Sequence, residues 1–353
     1  MRFAYNDAYF LRSILLSNFA RLPFPFKCSF AVTYRCNLQC RMCNIWRKSD
    51  AGNELGIEQI DRFFRRARNF SWVGLTGGEP FLRSDITDIA DSVTGHSTRL
   101  AALHCATNGS MTDRVVSAAE HIVSRNDKLK LVFTISIDGP PELHDAIRGM
   151  DGLWKKATET FLRLKQIRGV KPQIGYTISN HNLGSFPETF ASLQSVYPQL
   201  SFDDININLF QKSGFYYENQ GMDDLDGPKA LAELRTILAM DTGGFSINNF
   251  LRRTYLKYYP DFLATGKSPL QCQALSSTLF IDPEGDIYPC AIYKRKLLNV
   301  GAIPGDLREV WTSKAAKAIS AECRSNRCPV CWSPCDAFSA ISSSLSRSLF
   351  RYA

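Results

Sequence analysis

Three cysteines with the spacing Cys36-x3-Cys40-x2-Cys43 lie within one short stretch of the chain, TYRCNLQCRMCNIW. This triplet constrains the chain strongly, because thiolates so close in sequence can share one metal centre. Structural zinc sites use four protein ligands, whereas an iron–sulfur cluster held by three cysteines leaves one iron open to another ligand. The triplet predicts an open cluster, with a zinc loop or buried core cysteines as the alternatives.

The residues before the triplet favour a functional site. The apolar run Phe30-Ala31-Val32 predicts a strand, and Thr33-Tyr34-Arg35 carries the chain out at its carboxyl end. In α/β barrels the active site lies on the loops at this end of the strands.

Strand and helix patterns then alternate along the chain. Strands are predicted at 29–33, 72–75, 100–106, 130–137, 173–179 and 205–210. Helical patterns lie between them at 57–68, 85–94, 112–124, 151–168 and 185–195. Such alternation predicts an α/β fold with a parallel sheet that curls toward a barrel. From 211 to 271 the pattern weakens, and we expect a linker with one helix near 228–240.

Four further motifs follow the triplet in order: LTGGEP, ATNG, SISIDGP and HDAIRG. With the triplet, they resemble the radical S-adenosylmethionine superfamily over nearly the whole chain. The resemblance implies a partial (β/α)6 barrel that is open on one side, where a large substrate such as a peptide can enter. It also implies a 4Fe-4S cluster on Cys36, Cys40 and Cys43, which binds S-adenosylmethionine. A reductant such as flavodoxin or ferredoxin is the expected electron donor.

The same resemblance assigns further residues to the cofactor. Glycines in the GGEP motif would let the backbone approach the methionine portion closely. Arg148 would pair with the carboxylate of the cofactor, although a surface salt bridge with Asp145 or Asp151 is an equal alternative. Met42 occupies a position that is usually aromatic and packed near the adenine. The full expected cofactor-binding set is Met42, Gly77, Gly78, Glu79, Asn108, Ser136, Asp138 and Arg148.

A second set of cysteines lies near the other end of the chain. The spacing Cys272-x12-Gly285-x4-Cys290 suggests a hairpin with its turn at Pro283-Glu284-Gly285-Asp286, and Cys328-x2-Cys331 supplies another pair. Four thiolates at such spacing form a closed site, for which a zinc ribbon is the alternative.

Beside the earlier motifs, this segment resembles the SPASM or twitch extension of the superfamily. It lacks one member of the full cysteine run, which implies one auxiliary 4Fe-4S cluster rather than two. Its expected ligands are Cys272, Cys290, Cys328 and Cys331. Cys335 is an alternative ligand, and Cys323 is expected to be structural.

These patterns divide the chain into four expected regions: an N-terminal helical segment at 1–27, a barrel at 28–215, a linker with bridging helices at 216–271 and a cysteine-rich module at 272–353. The first region carries an apolar stripe at Phe10, Leu11, Ile14, Leu15 and Phe19. A helix packed on the barrel and a peripheral contact with a membrane surface are both compatible with this stripe.

Composition narrows the class of protein. The formal charge is +8, but the basic residues are spread along the chain, which favours solvated faces over a surface for nucleic acid. Eleven cysteines, an odd number, do not suggest a secreted disulfide framework. Because no stretch is long and apolar enough to span a bilayer, we expect a cytoplasmic protein.

We therefore expect an enzyme that abstracts a hydrogen atom and then oxidises its substrate or forms a bond in it, with peptide maturation as the first choice. A dehydrogenase of a small alcohol or sugar, and a lipid-modifying enzyme, are the alternatives. A zinc protein that binds nucleic acid is the alternative from another class. The sequence assigns no catalytic base.

Overall fold

The computed structural model describes residues 2–48, 53–126, 128–242, 244 and 246–352. Residue 1, at the start of the expected N-terminal segment, and residue 353, at the end of the expected cysteine-rich module, lie outside the described residues. The strands are β1 (Lys27–Thr33), β2 (Trp72–Gly77), β3 (Ala102–Thr107), β4 (Lys130–Ser136), β5 (Val170–Ile178), β6 (Ile205–Leu209), β7 (Thr278–Ile281), β8 (Asp286–Tyr288) and β9 (Leu298–Asn299).

The helices cover much of the remaining chain. They are α1 (Arg2–Ser17), α2 (Ile57–Arg66), α3 (Ile86–His96), α4 (Thr112–Arg125), α5 (Pro141–Arg148), α6 (Leu153–Lys165), α7 (Phe186–Val196), α8 (Gly227–Met240), α9 (Ile247–Thr265), α10 (Leu307–Trp311), α11 (Lys314–Arg324), α12 (Pro334–Ser342) and α13 (Leu345–Tyr352).

All nine strands form one sheet in the order β6-β5-β4-β3-β2-β1-β7-β8-β9. The first six strands are parallel neighbours in chain order, so the carboxyl ends of all six lie at the same edge. Among the described residues the outer strands β6 and β9 do not pair, and the sheet stays open. This is the expected partial barrel, because strands alternate with helices that cover the sheet.

The cysteine-rich module extends this sheet, which the sequence did not predict. Strand β7 pairs in parallel with β1, from Lys27 opposite Thr278 to Phe30 opposite Ile281. Strand β8 then pairs antiparallel with β7, which confirms the expected hairpin. The pairings place Cys272, which precedes β7, and Cys290, which follows β8, toward the amino end of β1.

The expectation of one helix between 211 and 271 was wrong, because α9 also lies there. The Ser246 side chain accepts a hydrogen bond from the Asn249 N–H at the start of α9. Tyr255 of this helix stacks on Trp332, with ring centroids 5.9 Å apart. Each of these two residues donates a side-chain hydrogen bond to the carbonyl of the other, both at 3.1 Å. Helix α9 thus joins the barrel to the cysteine-rich module.

Gly285 offers a test of how tightly the hairpin is packed. Its φ is +85°, and an added Cβ would lie 2.8 Å from a Val300 methyl carbon and 3.0 Å from Leu55. Gly266 also has a positive φ, of +61°, but an added Cβ there meets nothing within 4 Å. Gly285→Ala should lower the free energy of unfolding by about 2–4 kcal/mol, since backbone strain and overpacking add.

Gly266→Ala is the matched control, because it adds the strain alone. Its expected cost is about 1 kcal/mol, and thermal or urea unfolding of the two variants measures the difference. Equal effects of the two substitutions would contradict the close packing around the hairpin turn.

Candidate functional site

The cysteine triplet lies on the loop that follows β1, at the carboxyl edge of the sheet. Glu54 holds the start of this loop, because one of its carboxylate oxygens accepts from the Thr33 hydroxyl and the Tyr34 N–H, both at 2.7 Å. The thiols of Cys36, Cys40 and Cys43 are free, and the three residues are partly buried. The loop therefore presents three thiols in one place, as expected.

The GGEP motif packs directly against this loop. The Gly78 N–H donates to the Thr33 carbonyl and the Glu79 N–H donates to the Arg35 carbonyl, both at 2.8 Å. A Cβ on Gly77 would lie 2.4 Å from the Thr33 oxygen, and one on Gly78 would lie 2.3 Å from the Arg35 oxygen. The structure therefore shows that the close approach of two protein backbones requires glycine at both positions.

Glu79 is fully buried and connects the second loop to the third. Its carboxylate accepts from the Thr107 hydroxyl at 2.9 Å, the Asn108 N–H at 2.6 Å and the Phe81 N–H at 3.2 Å. Burial raises the pKa of Glu79 to about 7, against the effect of these donors. Both carboxylate oxygens accept hydrogen bonds from protein groups, so Glu79 fixes the second and third loops relative to each other.

Asn108 and Ser136 lie at the ends of the next strands, where the sequence predicted them. The side-chain amide of Asn108 donates to the Asn37 side chain at 2.9 Å, and Asn37 belongs to the cysteine loop. Ser136 is the last residue of β4 and is partly exposed. Met42 is buried, and its carbonyl accepts from the Asn219 side chain at 3.1 Å.

Arg148 lies against the cysteine loop and pairs with Asp138. Two guanidinium nitrogens contact one carboxylate oxygen of Asp138, at 2.6 Å and 2.5 Å. The other oxygen accepts from the Thr177 N–H at 2.8 Å. The remaining guanidinium nitrogen lies 4.0 Å from the Cys40 sulfur. The alternative of a surface salt bridge with Asp145 or Asp151 was wrong, because Arg148 is largely buried and its partner is Asp138.

These surroundings shift the pKa values of the three cysteine thiols on the loop. Burial raises the pKa of Cys36 to about 12 and that of Cys43 to about 11. Burial also raises the pKa of Cys40, while Arg148 acts in the opposite direction. Burial alone would lower the pKa of Arg148, but Asp138 and Cys40 hold it above its ordinary value. A bound cation would favour the thiolate forms, because metal ligation requires deprotonated cysteines.

The second cysteine set gathers on the other side of β1. Cys272 precedes β7, Cys290 follows β8, and Cys323 lies in the last turn of α11. Burial raises the pKa of Cys272, Cys290 and Cys331, and neighbouring cysteines of the set raise it further. A hydrogen bond to Cys328 keeps Cys323 protonated and favours the Cys328 thiolate. Cys323 thus neighbours three of the expected ligands, Cys272, Cys290 and Cys328. The Asp336 carboxylate raises the pKa of Cys335, and it also raises those of Cys272, Cys290 and Cys331.

The sequence missed the segment that connects the two cysteine sets. Residues 213–219 follow β6, across the expected boundary between the barrel and the linker, and contact both the cysteine loop and Ala291. The Asn44 N–H donates to the Tyr217 carbonyl at 2.9 Å on the side of the cysteine loop. The Ser213 hydroxyl donates to the carbonyl of Ala291, the residue after Cys290, at 2.8 Å. The dense aromatic run Phe215-Tyr216-Tyr217 was the available signal.

An aromatic cluster fills the space beside this segment. It consists of Tyr34, Phe215, Tyr216, Phe280 and Tyr288, and it packs against Cys36, Cys43 and Ala291. The buried hydroxyl of Tyr216 lies beside Thr76 without reaching hydrogen-bond geometry. A buried hydroxyl without a partner carries a free-energy cost, which a bound molecule could remove.

The chemistry of the donors fits the expected groups. All the cysteines of the two sets are free thiols, and cysteine thiolates are the ligands that hold iron–sulfur clusters. Cys36, Cys40 and Cys43 would hold one cluster, and the cysteines of the second set would hold another.

Comparisons with known families agree with this chemistry. Residues 30–192 match the model of the Radical SAM superfamily, and residues 272–336 match that of an iron–sulfur cluster-binding domain, SPASM. The first match covers β1 to most of α7, and the second runs from Cys272 past Cys335.

Curated relatives match over most of the chain at low identity. One is the antilisterial bacteriocin subtilosin biosynthesis protein AlbA of Bacillus subtilis, 22% identical over 333 residues that cover 90% of this chain and 68% of AlbA. Another is the mycofactocin maturase MftC of Mycobacterium ulcerans, 26% identical over 311 residues that cover 82% of this chain and 75% of MftC.

A solved structure shares the fold. Native anSMEcpe with bound AdoMet and the Cp18Cys peptide superposes with a TM-score of 0.58 at 16% identity, over 93% of this chain and 99% of that one. At this identity the likeness shows a common fold.

Gly78→Ala should prevent the cysteine loop from docking on the GGEP motif. The added methyl group would overlap backbone atoms that cannot move aside, at a cost of about 1–3 kcal/mol or more. We expect the variant to lose the iron bound by this loop, as measured by iron analysis after anaerobic reconstitution. Gly95→Ala is the control, since an added Cβ there meets nothing within 4 Å, and it should load like the wild type.

Arg148→Met should leave the carboxylate of Asp138 buried without its counter-ion. The expected loss in the free energy of unfolding is about 3–5 kcal/mol. Arg163→Met removes an exposed arginine that pairs with Asp113 at 2.6 Å, and its cost should be much smaller, because solvent screens exposed ion pairs. Urea unfolding compares the two, and equal costs would contradict the structural role of the buried pair.

Proposed function

Because this chain belongs to the radical S-adenosylmethionine superfamily and carries a C-terminal SPASM domain, we propose that it matures a peptide by hydrogen abstraction followed by oxidation or bond formation. The observation that carries the proposal is the aromatic cluster that packs against Cys36 and Cys43 of the cysteine loop and against Ala291, the residue after Cys290. The chain is an enzyme that uses S-adenosylmethionine and 4Fe-4S clusters, and the peptide is the proposed substrate.

In this proposal Cys36, Cys40 and Cys43 hold the first cluster. A cluster bound there supplies the electron that cleaves S-adenosylmethionine to methionine and the 5'-deoxyadenosyl radical. The protein contributes position and a dry surrounding more than acid–base groups, because hydrogen-atom abstraction moves no net charge. Arg148 balances the negative charge of the thiolates, and its own position is fixed by Asp138.

The aromatic cluster is the proposed wall of the substrate cavity. Tyr34 and Tyr216 lie 6.3 Å apart between ring centroids, and Tyr216 and Phe280 lie 5.0 Å apart. The unpaired hydroxyl of Tyr216 could donate to a peptide carbonyl. Aromatic walls also exclude the water that would otherwise compete for a radical.

The second cysteine set has the proposed role of an electron acceptor site. After a hydrogen atom leaves, oxidation of the substrate releases one further electron and one proton. Cys272, Cys290, Cys328 and Cys331 would hold one auxiliary cluster, and Cys323 is a fifth thiol within the same group. Residues 213–219 connect this part of the chain to the cysteine loop, which supports a single substrate cavity served by both clusters.

A peptide is favoured as the substrate by two lines of support. Two of the curated relatives are named for bacteriocin biosynthesis and for mycofactocin maturation, and the structural neighbour has bound AdoMet and the Cp18Cys peptide. The open side of the sheet also leaves room for an extended chain. These features favour a peptide over a small alcohol, a sugar or a lipid.

Replacing the cysteines of each set separately tests the assignment of the clusters. Wild-type protein should bind about eight irons per chain after anaerobic reconstitution, as two four-iron clusters. The triple variant Cys36→Ala, Cys40→Ala and Cys43→Ala should bind about four and form no 5'-deoxyadenosine with dithionite. Cys290→Ala should retain 5'-deoxyadenosine formation, because its first cluster is intact.

The peptide itself is tested with short open reading frames from the neighbouring genes. Each is coexpressed with the wild type or with Cys290→Ala, and the peptide mass is measured. A loss of two hydrogen atoms with the wild type alone is the expected result. Formation of 5'-deoxyadenosine that responds to a sugar or a lipid, but to no peptide, would contradict the proposed substrate class.

A further inference from the structure

Helix α1 presents its larger apolar side chains outward. Leu11, Leu15, Leu16 and Phe19 are exposed, and Phe19 just beyond the helix end is 87% exposed. At 100° per residue these positions share one face with Arg12. A helix on the surface of a globular protein normally turns such a face toward the core. The outward apolar stripe therefore indicates a surface that binds a partner.

The inward face of α1 is more polar than the outward face. Asn6, Ser13 and Ser17 are buried, and the Asn6 side chain donates to the Leu100 carbonyl at 3.0 Å. Phe10 is half-buried and packs on Phe26 with ring centroids 5.7 Å apart. Of the stripe predicted from the sequence, Phe10 packs on the barrel, whereas Leu11, Leu15 and Phe19 are exposed.

A second exposed apolar pair lies next to the end of α1. Leu349 and Phe350 of α13 are exposed, and Phe350 is 88% exposed. The Asn18 side chain donates to the Ser342 carbonyl at 3.2 Å and accepts from the Leu345 N–H at 3.0 Å. Of the eight exposed large apolar residues among the described ones, six lie in these two neighbouring segments. Scattered single residues would need no explanation, but such a concentration does.

The charges of the two segments are positive. Arg12 and Arg347 are exposed, while Asp7 of α1 pairs with Lys130 at 2.8 Å. Helix α13 contains no acidic residue. An apolar stripe flanked by arginines complements a bilayer with anionic headgroups, where each basic residue adds to the attraction.

We propose that α1 and α13 together form a docking surface for an anionic lipid bilayer. Leu11, Leu15, Phe19 and Phe350 would enter the boundary between headgroups and acyl chains. Protruding side chains on convex helices suit a fluid bilayer better than a protein partner, which would need a matching groove. The surface lies on the membrane without crossing it, since no helix among the described residues is long and apolar enough to span one.

The position of α1 leaves the cysteine loop free. Its contacts include Leu100 before β3, Lys130 at the start of β4 and Trp72 at the start of β2. These residues mark the amino ends of the strands, whereas the cysteine loop lies at the carboxyl ends. A bilayer contact at α1 would therefore leave the opposite edge of the sheet accessible.

Cosedimentation of the full chain with lipid vesicles tests this surface. Vesicles of phosphatidylcholine mixed with phosphatidylglycerol should bind the wild type, and vesicles of phosphatidylcholine alone should bind it about tenfold less. The combined variant Leu11→Gln, Leu15→Gln, Phe19→Gln and Phe350→Gln should lose at least about tenfold in binding. Arg12→Gln with Arg347→Gln should weaken binding to the anionic vesicles only.

The matched control carries Val196→Gln and Ile247→Gln, the other two exposed large apolar residues, and should bind like the wild type. Iron content and 5'-deoxyadenosine formation should be unchanged in every variant, which reports correct folding. Failure of the wild type to bind anionic vesicles would overturn the proposal. So would self-association of the wild type that the four glutamines abolish, because a second copy of the chain would then cover the stripe.

Discussion

The candidate site depends on direct contact between the backbones of two loops. The N–H groups of Gly78 and Glu79 both donate to carbonyls of the chain at Thr33 to Arg35, at 2.8 Å, with no room for a side chain between the two segments. Glu79 then ties the third loop to the second, and Asn37 reaches the third loop through Asn108. Because parallel strands bring these loops to one edge, a few short contacts fix three loops at once.

Charge balance is the second requirement of the site. The thiols lie in surroundings that disfavour thiolates, and the positive charge of Arg148, which acts on Cys40 and Cys43, itself needs Asp138. A buried ion pair of this kind contributes little net stability, but losing one partner is costly. We infer that the main role of this pair is to hold the positive charge of Arg148 beside the Cys40 sulfur. An iron–sulfur cluster bound by three thiolates would gain from such a neighbour.

The parts of the fold and of the candidate site that depend on local sequence patterns could be predicted. The six parallel strands and the cysteine loop follow from apolar runs and short motifs, each of which depends on residues close in sequence. The pairing of β7 with β1 could not be predicted, because it joins residues about 250 positions apart through backbone hydrogen bonds that the four side chains of β7 do not specify. Helix α9 was missed because Pro260 and a row of tyrosines obscure its pattern. Residues 213–219 lack any periodicity, and their position depends on contacts with Met42, Asn44 and Ala291. The stripe of α1 was visible, but the face it turns outward is decided by tertiary packing.

The central claim is an iron with an open coordination position on the cysteine loop. Electron paramagnetic resonance of the reduced Cys290→Ala variant, recorded with and without S-adenosylmethionine, tests it most directly. If the cysteine loop leaves one iron open, S-adenosylmethionine should bind there and change the spectrum of the reduced cluster. A spectrum that stays the same at saturating S-adenosylmethionine would mean a closed cluster and would contradict this account.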